Sequence, residues 1–347
     1  MSTAVSPSAA RRVRDLPIGT VIFYGVAIVA FLVLILPRIV QNPSFFLQLL
    51  SIGVSEGSIY ALVALGYTLV YGIVELINFA HGDVFALGSI ISITLFSFVG
   101  IGAQTAVPPL LVVPAIAGVL VVTMLICGGV NVAIERIAYR PLRNAPRLAP
   151  LITAIGMSFI LEGIMFIWKG PVNVPFPNLL PQGHLVLLGA PIAIKGLIVI
   201  ASALILVVLL FTFINSTKLG RAMRATAQDR DAAQLMGIDI NRTIAATFFI
   251  GAVLAAAGGM AFGLYFPSLV YWQLGFQQGL NAFTAAVLGG IGNVQGAALG
   301  GLVIGLVRTF NDGYGNSAWT DIIVFAILVV VLTFRPTGLL GTREPGT

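Results

Sequence analysis

The chain alternates between long apolar runs and short polar stretches. Each run is long enough to cross roughly 30 Å of hydrocarbon as a helix. This pattern predicts an all-α integral membrane protein, a polytopic helical bundle with roughly nine hydrophobic segments. The predicted segments are residues 18–39, 46–72, 84–102, 108–134, 149–168, 189–214, 243–268, 281–309 and 319–334.

Basic residues lie beside these segments and form no single stripe, so the formal charge of +6 does not indicate nucleic-acid binding. Positive charge next to a span keeps that loop in the cytoplasm. Threading the chain from a cytoplasmic N-terminus places both basic loops inside and the Pro-rich loop 169–188 outside. The basic residues are Arg11, Arg12 and Arg14, then Arg136, Arg140, Arg143 and Arg147, then Lys218, Arg221, Arg224, Arg230 and Arg242.

The segment 281–309 is unusually rich in glycine, which is costly inside a helix and permissive in a turn. One interpretation is a broken helix whose two halves turn back at the middle of the membrane. The other is a straight helix with a small-residue packing stripe at Gly292, Gly296 and Gly300. We favour the broken helix, which would place the C-terminus in the cytoplasm. The small-residue packing stripe is compatible with this form.

Several common sites are missing or weakly supported. No G-x-x-x-x-G-K-[ST] phosphate-binding loop occurs, and Cys127 is the only cysteine. The sequence GVSEG at 53–57 matches a nucleophile-elbow pattern, but it lies in an apolar helical run, where glycine-spaced packing explains it better. His81 and Asp83 do not predict a metal site, because His184 is expected on the opposite side and stable sites need three or four ligands.

The loop 215–242 is the most informative polar stretch. Its first part has helical spacing, with basic residues on one face and small or apolar residues on another. The following sequence DAAQLMG predicts a very short helix, with Asp231 as its N-cap and Gly237 in the left-handed conformation at its end. Small residues near its start would let another protein approach closely, although an ordinary solvated loop remains the alternative.

Ionisable residues within apolar segments are functional candidates, because burying a charge at mid-bilayer costs roughly 2.5 kcal/mol or more. Glu56 and Glu162 are of this kind, and structural hydrogen bonding is the alternative to substrate contact. The sequence INFAHGD adds Asn78, His81 and Asp83 just after the 46–72 segment, at its predicted cytoplasmic end. There they would satisfy free backbone groups.

Five blocks of the sequence resemble the permease subunits of branched-chain amino-acid ABC importers. They are YALVALGYTLVYGIVELINFAHGDVFALGS, ERIAYRPLRNAPRLAPLITAIGMS, GRAMRATAQDRDAAQLMGID, FTAAVLGGIGNVQGAALGGL and RPTGLLG, and they cover about residues 45–341 in matching order. The resemblance implies an ABC importer permease domain at 43–342, preceded by an extension at 1–42 with an extra transmembrane helix and followed by a cytoplasmic tail at 343–347. It implies a bacterial inner membrane location with both termini in the cytoplasm.

The resemblance also implies the partners and the cargo. A second related permease, two cytoplasmic ATP-binding subunits and an extracytoplasmic solute-binding protein would complete the importer. ATP would bind to the partners, so this chain would carry no cofactor and would not be an enzyme. The expected cargo is a branched-chain amino acid. Urea or short-chain amides are the alternative cargo, and an ion-gradient-driven secondary transporter and an integral membrane enzyme are less favoured rivals.

Two groups of residues acquire functional roles from the resemblance. The sequence DAAQLMG is similar to the family's E-A-A-x-x-x-G loop, with aspartate in place of glutamate, and would form the coupling helix that docks on an ATPase. The expected coupling residues are Arg221, Arg224, Asp231, Ala232, Ala233 and Gly237. The residues expected along the substrate pathway or inner gate are Asn78, His81, Asp83, Gly289, Gly290, Gly292, Asn293 and Gly296. Loops 169–188 and 269–280 would receive the solute-binding protein.

Overall fold

A computed structural model describes residues 36–75, 78–105, 107–143, 145–146, 148–335 and 337–341. The described chain is almost entirely helical, because helices satisfy their own backbone groups where no water is present. One antiparallel hairpin and three short turns of other helix types complete it. The α-helices are α1 (Leu36–Gln41), α2 (Pro43–Val74), α3 (Ala80–Phe98), α4 (Pro109–Ile134), α5 (Leu148–Lys169), α6 (Ile194–Ser216), α7 (Lys218–Gln228), α8 (Arg230–Leu235), α9 (Ile240–Tyr265), α10 (Leu274–Gly289), α11 (Val294–Tyr314) and α12 (Thr320–Phe334). The other elements are a π-helix (Glu135–Tyr139), two 3₁₀ turns (Arg140–Leu142 and Ser317–Trp319), β1 (His184–Leu187) and β2 (Ala190–Ala193).

The chain is a multi-pass membrane protein, with seven described helical stretches long and apolar enough to cross a membrane. Eight of the nine predicted segments coincide with described helices, so the predicted fold class is confirmed and the count of nine is approximate. The remaining segment, 18–39, lies mostly outside the described residues, as do most of the predicted extension 1–42 and the whole tail 343–347. The domain boundaries stay predictions.

Helices α2 and α11 run antiparallel with their backbones in close contact. A Cβ atom added to Gly57 would lie 2.7 Å from the Cα of Leu302, and one added to Gly301 would meet the backbone of Ala61. Helices in lipid gain little from the hydrophobic effect, so close packing through small residues has to hold them together. The GVSEG sequence therefore lies inside an unbroken helix and is a packing face, as predicted.

Helices α3 and α9 pack on another side of α2. A Cβ on Gly66 of α2 would lie 2.8 Å from the carbonyl oxygen of Gly251 in α9, and one on Gly88 of α3 would lie 2.6 Å from the Cα of Ala256. In the most apolar stretch of each helix, 89% of the residues of α2 and 72% of those of α9 are buried within the protein. The corresponding share is 17% for α4 and 17% for α6. The bundle thus has a protein-packed core and an outer layer of apolar helices that suits contact with lipid.

The glycine-rich segment folds as two helices, α10 and α11, joined by the turn 290–293. Gly290 and Gly292 have φ angles of 109° and 90°, which glycine adopts at little cost. The broken form is therefore confirmed. Part of the packing stripe coexists with it, because Gly296 and Gly300 lie directly against the backbone of α10, whereas Gly292 belongs to the turn.

The depth predicted for this turn is wrong, because it lies at one end of the bundle and not at its middle. A Cβ on Gly72, near the end of α2, would lie 3.5 Å from the Cα of Gly292. The helices have 16 and 21 residues, or about 24 and 32 Å, so each crosses most of the bundle. The amide of Leu340 donates to the carbonyl of Gly289 at 3.0 Å, which places the C-terminal end of the described chain beside the turn.

Both basic loops lie at this end, here called the basic end and defined by Arg143, Arg230 and the turn 290–293. Arg143 Nη1 donates to Asn241 Oδ1 at 2.7 Å, which joins the loop after α4 to the start of α9. The two loops were predicted to share one side of the membrane, and their position at one end of the bundle agrees with this.

The opposite end, here called the far end, is defined by the loops 170–183 and 266–273. The amide of Val174 donates to the carbonyl of Val270, and that of Phe176 to the carbonyl of Pro267, each at 2.8 Å. These bonds join the two loops predicted to receive a soluble protein. The predicted second loop, 269–280, is too long, since α10 begins at Leu274.

We expect Gly301→Ala to destabilise the fold by about 1–3 kcal/mol, because its Cβ would meet the backbone of Ala61, which cannot move aside. Gly118→Ala in α4 is the matched control, since nothing lies within 4 Å of its added Cβ. It should be neutral or stabilising by up to about 1 kcal/mol. Thermal unfolding of the purified protein in detergent measures both, and equal melting temperatures would contradict the proposed packing.

Candidate functional site

The polar segment from Lys218 to Gly237, here called the coupling segment after the role predicted for it, begins with α7. Thr217 caps this helix by accepting a hydrogen bond from the amide of Gly220 at 3.0 Å. The apolar face, with Met223, turns inward, while Arg221 and Arg224 lie on the exposed face, as the helical spacing predicts. Arg224 also donates to the carbonyl of Ile214 at the end of α6, so it secures the segment to the bundle.

The short helix α8 follows, and its N-cap differs from the prediction. Asp229, not Asp231, accepts the capping hydrogen bond, from the amide of Ala232 at 2.9 Å. Asp231 lies in the first turn, where its charge complements the helix dipole. The sequence favoured Asp231 because of the capping-box spacing to Gln234, but the chain leaves α7 extended at Asp229, which is the geometry an N-cap needs.

The rest of α8 matches the prediction. Gly237 has a φ of 84°, the left-handed conformation expected at a helix end. Ala232 is exposed, whereas Ala233 is 4% exposed and packs inward. Leu235 and Met236 are 89% and 83% exposed. Two consecutive large apolar side chains are therefore exposed on an otherwise polar segment.

Arg230 connects the coupling segment to the core of the bundle. Its Nε and Nη2 atoms donate to the carbonyl oxygen of Ile73 at 3.1 and 2.5 Å. Ile73 belongs to the last turn of α2, whose carbonyls have no partner within the helix. A guanidinium at this position satisfies the carbonyl and complements the negative end of the helix dipole.

Asn78 lies in the short connection between α2 and α3 and is 3% exposed. Its Oδ1 accepts a hydrogen bond from the hydroxyl of Tyr139 at 2.7 Å, which ties this connection to the turn after α4. Its Nδ2 has no partner among the described residues. Asn78 therefore holds two helix ends together.

His81 and Asp83 lie deeper than the sequence indicated. His81 is fully buried against Gly66, eight residues before the end of α2, and its ring lies 4.7 Å from that of Tyr67. Asp83 is also fully buried, beside Gly275 of α10, and accepts a hydrogen bond from Ser158 of α5. After α2 the chain turns back into the bundle. Helix α3 therefore begins deeper inside the bundle than the level at which α2 ends.

None of the three side chains of Asn78, His81 and Asp83 caps the start of α3, where free backbone groups were predicted to need them. The N-cap position of α3 is Phe79, and no side chain caps that helix end. No hydrogen bond of ordinary geometry reaches the ring nitrogens of His81 or the Oδ1 of Asp83 within the described residues, although the backbone of Val63 lies close enough to interact with the His81 ring. The sequence could not show this, because the depth of α3 depends on glycines in other helices that let it enter. A gating role for Asn78, His81 and Asp83 stays a prediction.

The glycine turn brings together all five residues predicted there. Asn293 caps α11 by accepting from the amide of Gly296 at 3.0 Å, and its Nδ2 donates to the carbonyl of Leu340 at 2.7 Å. Gly289 and Gly296 lie directly against each other. Gly290 is enclosed by the backbone of Gly341. These contacts give the turn a packing function at the basic end, and a pathway role stays a prediction.

One charged residue was missed by the sequence reasoning. Arg308 is the only charged residue in the segment 281–309, and its Nη1 donates to Asp321 Oδ1 at 2.7 Å and to Asn281 Oδ1 at 3.1 Å. The rule that singled out Glu56 and Glu162 applies equally to it. Among the described residues, no three His, Cys, Asp or Glu side chains are grouped to hold a metal ion.

The multi-pass helical bundle defines the class of the protein, a polytopic integral membrane protein. Comparison of sequences gives the family: residues 49–332 match the family described as the permease component of branched-chain amino acid transport systems. The chain belongs to this family, and it is a permease component of an ABC import system.

Three relatives illustrate the similarity. The high-affinity branched-chain amino acid transport system permease protein BraD of Pseudomonas aeruginosa is 41% identical, over 86% of this chain and 97% of BraD. LivH of Escherichia coli, which carries the same description, is 40% identical over the same shares. A probable branched-chain amino acid transport permease protein LivM of Methanocaldococcus jannaschii is 27% identical, over 40% of this chain and 44% of LivM. No solved structure matches the chain.

We expect Ser158→Ala to destabilise the protein by about 1–3 kcal/mol, because the buried carboxyl of Asp83 loses its hydrogen-bond donor. Thr153→Ala, on the same helix, removes a hydroxyl that bonds only within α5 and should cost less. Thermal unfolding measures both. In the Asp83→Asn background, the effect of Ser158→Ala should shrink, and full additivity would show that the two side chains do not interact.

Proposed function

We propose that this chain moves branched-chain amino acids into the cell, as the permease subunit of an ATP-driven importer that works by alternating access. The structure of the coupling segment carries the proposal. Its short helix α8 exposes apolar side chains, while Arg230 donates hydrogen bonds to the end of the central helix α2. The match to permease components of branched-chain amino acid systems supplies the cargo class.

The partners in this proposal are a second, related permease, two ATP-binding subunits and a solute-binding protein. The similarity of this chain to a LivM permease protein supports the pairing of two related chains. ATP binds to the partner subunits, and this chain supplies no cofactor site. The protein lies in the bacterial inner membrane, with the basic end and both termini in the cytoplasm, in keeping with the positive-inside rule.

In this mechanism the ATP-binding subunits engage Leu235 and Met236 and move α8 when they close. Arg230 transmits the movement to the last turn of α2. Because α2 is in backbone contact with α11 and α9, these helices move with it as one body. At the far end, the joined loops 170–183 and 266–273 receive the loaded solute-binding protein. The bundle then opens alternately to each side.

The first test is uptake of labelled leucine by bacteria that lack this chain, with and without a plasmid that restores it. We expect restored uptake that stops on ATP depletion and that unlabelled isoleucine and valine compete away. Rescue of urea or amide uptake, without leucine uptake, would contradict the proposed cargo. Uptake that survives ATP depletion and stops when the proton gradient collapses would contradict the ATP-driven mechanism.

A second test addresses the coupling segment. The double variant Leu235→Ala/Met236→Ala should lower leucine uptake about tenfold or more, because two exposed apolar anchors contribute roughly 1–3 kcal/mol to such a contact. The amount of permease in the membrane should not change, since neither side chain is buried in the bundle. Ile137→Ala, at another residue that is 78% exposed, is the control. Normal uptake by the double variant would exclude α8 as the docking helix.

A further inference from the structure

A group of polar side chains lies between α2, α10, α11 and α12, close to the far end. It is centred on Arg308, which bonds Asp321 and Asn281. Around this centre, Gln277 Nε2 donates to Asp321 Oδ2 and Asn281 Nδ2 donates to Gln278 Oε1, each at 3.3 Å. Glu56 is close enough for Arg308 to act on its charge. The group, here called the far-end cluster, consists of Glu56, Gln277, Gln278, Asn281, Arg308 and Asp321.

The far-end cluster is partly exposed, whereas the predicted gate residues are buried. The side chain of Asp321 is 60% exposed and that of Arg308 is 13% exposed, and Gln277 is exposed as well. His81 and Asp83, in contrast, are fully buried. A charged group that faced lipid would be costly, so this side of the bundle faces water or protein. Asp321 and Gln277 therefore leave one side of the cluster uncovered by the described part of this chain.

The charges of the cluster are not balanced. Arg308 forms its ion pair with Asp321, while Glu56 forms no ion pair within the described part of the chain. A third acid, Asp312, lies close enough to Glu56 to act on its charge and accepts a hydrogen bond from Thr320. Acids thus outnumber the one cation. A zwitterionic solute can place its carboxylate on Arg308 and its ammonium group against the acids, so that each charge of the solute has a partner of opposite sign while the cluster stays net negative.

We propose that the far-end cluster is a recognition site for the zwitterionic head of an α-amino acid. Arg308 binds the carboxylate of the amino acid, and Glu56 and Asp321 bind its ammonium group. This inference rests on the proposed function and gives its cargo a site in the permease itself.

Binding requires an exchange of partners at Arg308. Asp321 is 60% exposed and can be solvated by water when it leaves, whereas the Arg308 side chain is 13% exposed and has to keep a negatively charged partner, which the carboxylate of the solute supplies. A zwitterion placed between Arg308 and Asp321 restores alternating charges, and a guanidinium can bind a carboxylate through two parallel hydrogen bonds. Phe276 and Ile322, on the same two helices as Gln277 and Asp321, are exposed apolar side chains.

The rival interpretation is a structural latch, in which Arg308 and Asp321 only join α11 to α12. The two interpretations differ in one respect. A latch affects every solute equally, whereas a recognition site discriminates between solutes that possess and lack each charged group. The test therefore compares leucine with L-leucinamide, which lacks the carboxylate, and with 4-methylpentanoate, which lacks the ammonium group.

The experiment uses the complete complex of this chain with its partner permease and ATP-binding subunits in nanodiscs, without the solute-binding protein. Binding of tritiated L-leucine is measured by scintillation proximity, with the two analogues as competitors. We expect the wild-type complex to prefer leucine to either analogue by about tenfold or more, the factor typical of one charge-assisted contact. A complex that binds no leucine, or that binds leucine and the analogues equally, would overturn the inference.

Variants then assign the groups. Arg308→Gln should abolish the preference for leucine over leucinamide and keep that over 4-methylpentanoate, whereas Arg308→Lys should retain most of both. Glu56→Gln and Asp321→Asn should reduce the preference over 4-methylpentanoate. Arg38→Gln is the control, because Arg38 contacts Tyr314 at the end of α11, away from the cluster, and both preferences should remain.

An equal loss of affinity for leucine and both analogues in Arg308→Gln would identify a structural latch and refute recognition. The uptake assay separates this failure from that of the proposed function. If the chain restores leucine uptake but the variants keep the wild-type preferences, only the far-end site is refuted. If the chain restores no leucine uptake, the proposed cargo itself is refuted.

Discussion

The backbone contact between α2 and α11 is the constraint on which the other features of this permease depend. Glycines at 57 and 301 remove the side chains that would separate the two helices, so main-chain atoms meet directly. In a membrane the hydrophobic effect does not hold helices together, and close contact of this kind supplies the attraction instead. The turn at 290–293 and the position of α10 follow from it, because α11 is fixed against α2 and α10 against α11.

This arrangement separates a rigid interior from an adaptable exterior. Helices α2, α3, α9, α10 and α11 meet through small residues and have little freedom to slide, whereas α4, α5, α6 and α12 present mostly apolar side chains to their surroundings. Polar groups are confined to the two ends and to a few buried contacts such as that of Asp83 with Ser158. A force applied at one end is therefore carried to the other by a compact set of helices.

The sequence predicted the features that depend on local pattern. Apolar run length gave most of the spans, the positions of arginine and lysine gave the two ends, and glycine density gave the broken helix at 281–309. It failed where depth is set by contacts between helices. His81 enters the bundle only because Gly66 leaves room for its ring, and the turn at Gly290 reaches the surface because α10 begins earlier than its apolar run. Each of these depths depends on contacts between two helices, so it cannot be predicted from the sequence of one helix alone.

The bond between Arg230 and Ile73 joins a side chain to the main chain, and this has a consequence for how the permease can vary. The receiving atom is a carbonyl oxygen, which every amino acid possesses, so the end of α2 can change its side chains without losing the link. Only the arginine and the helical geometry have to persist. The connection between the coupling segment and the membrane core is therefore insensitive to sequence on one side, and the side chains at the end of α2 are left free to serve its packing against neighbouring helices.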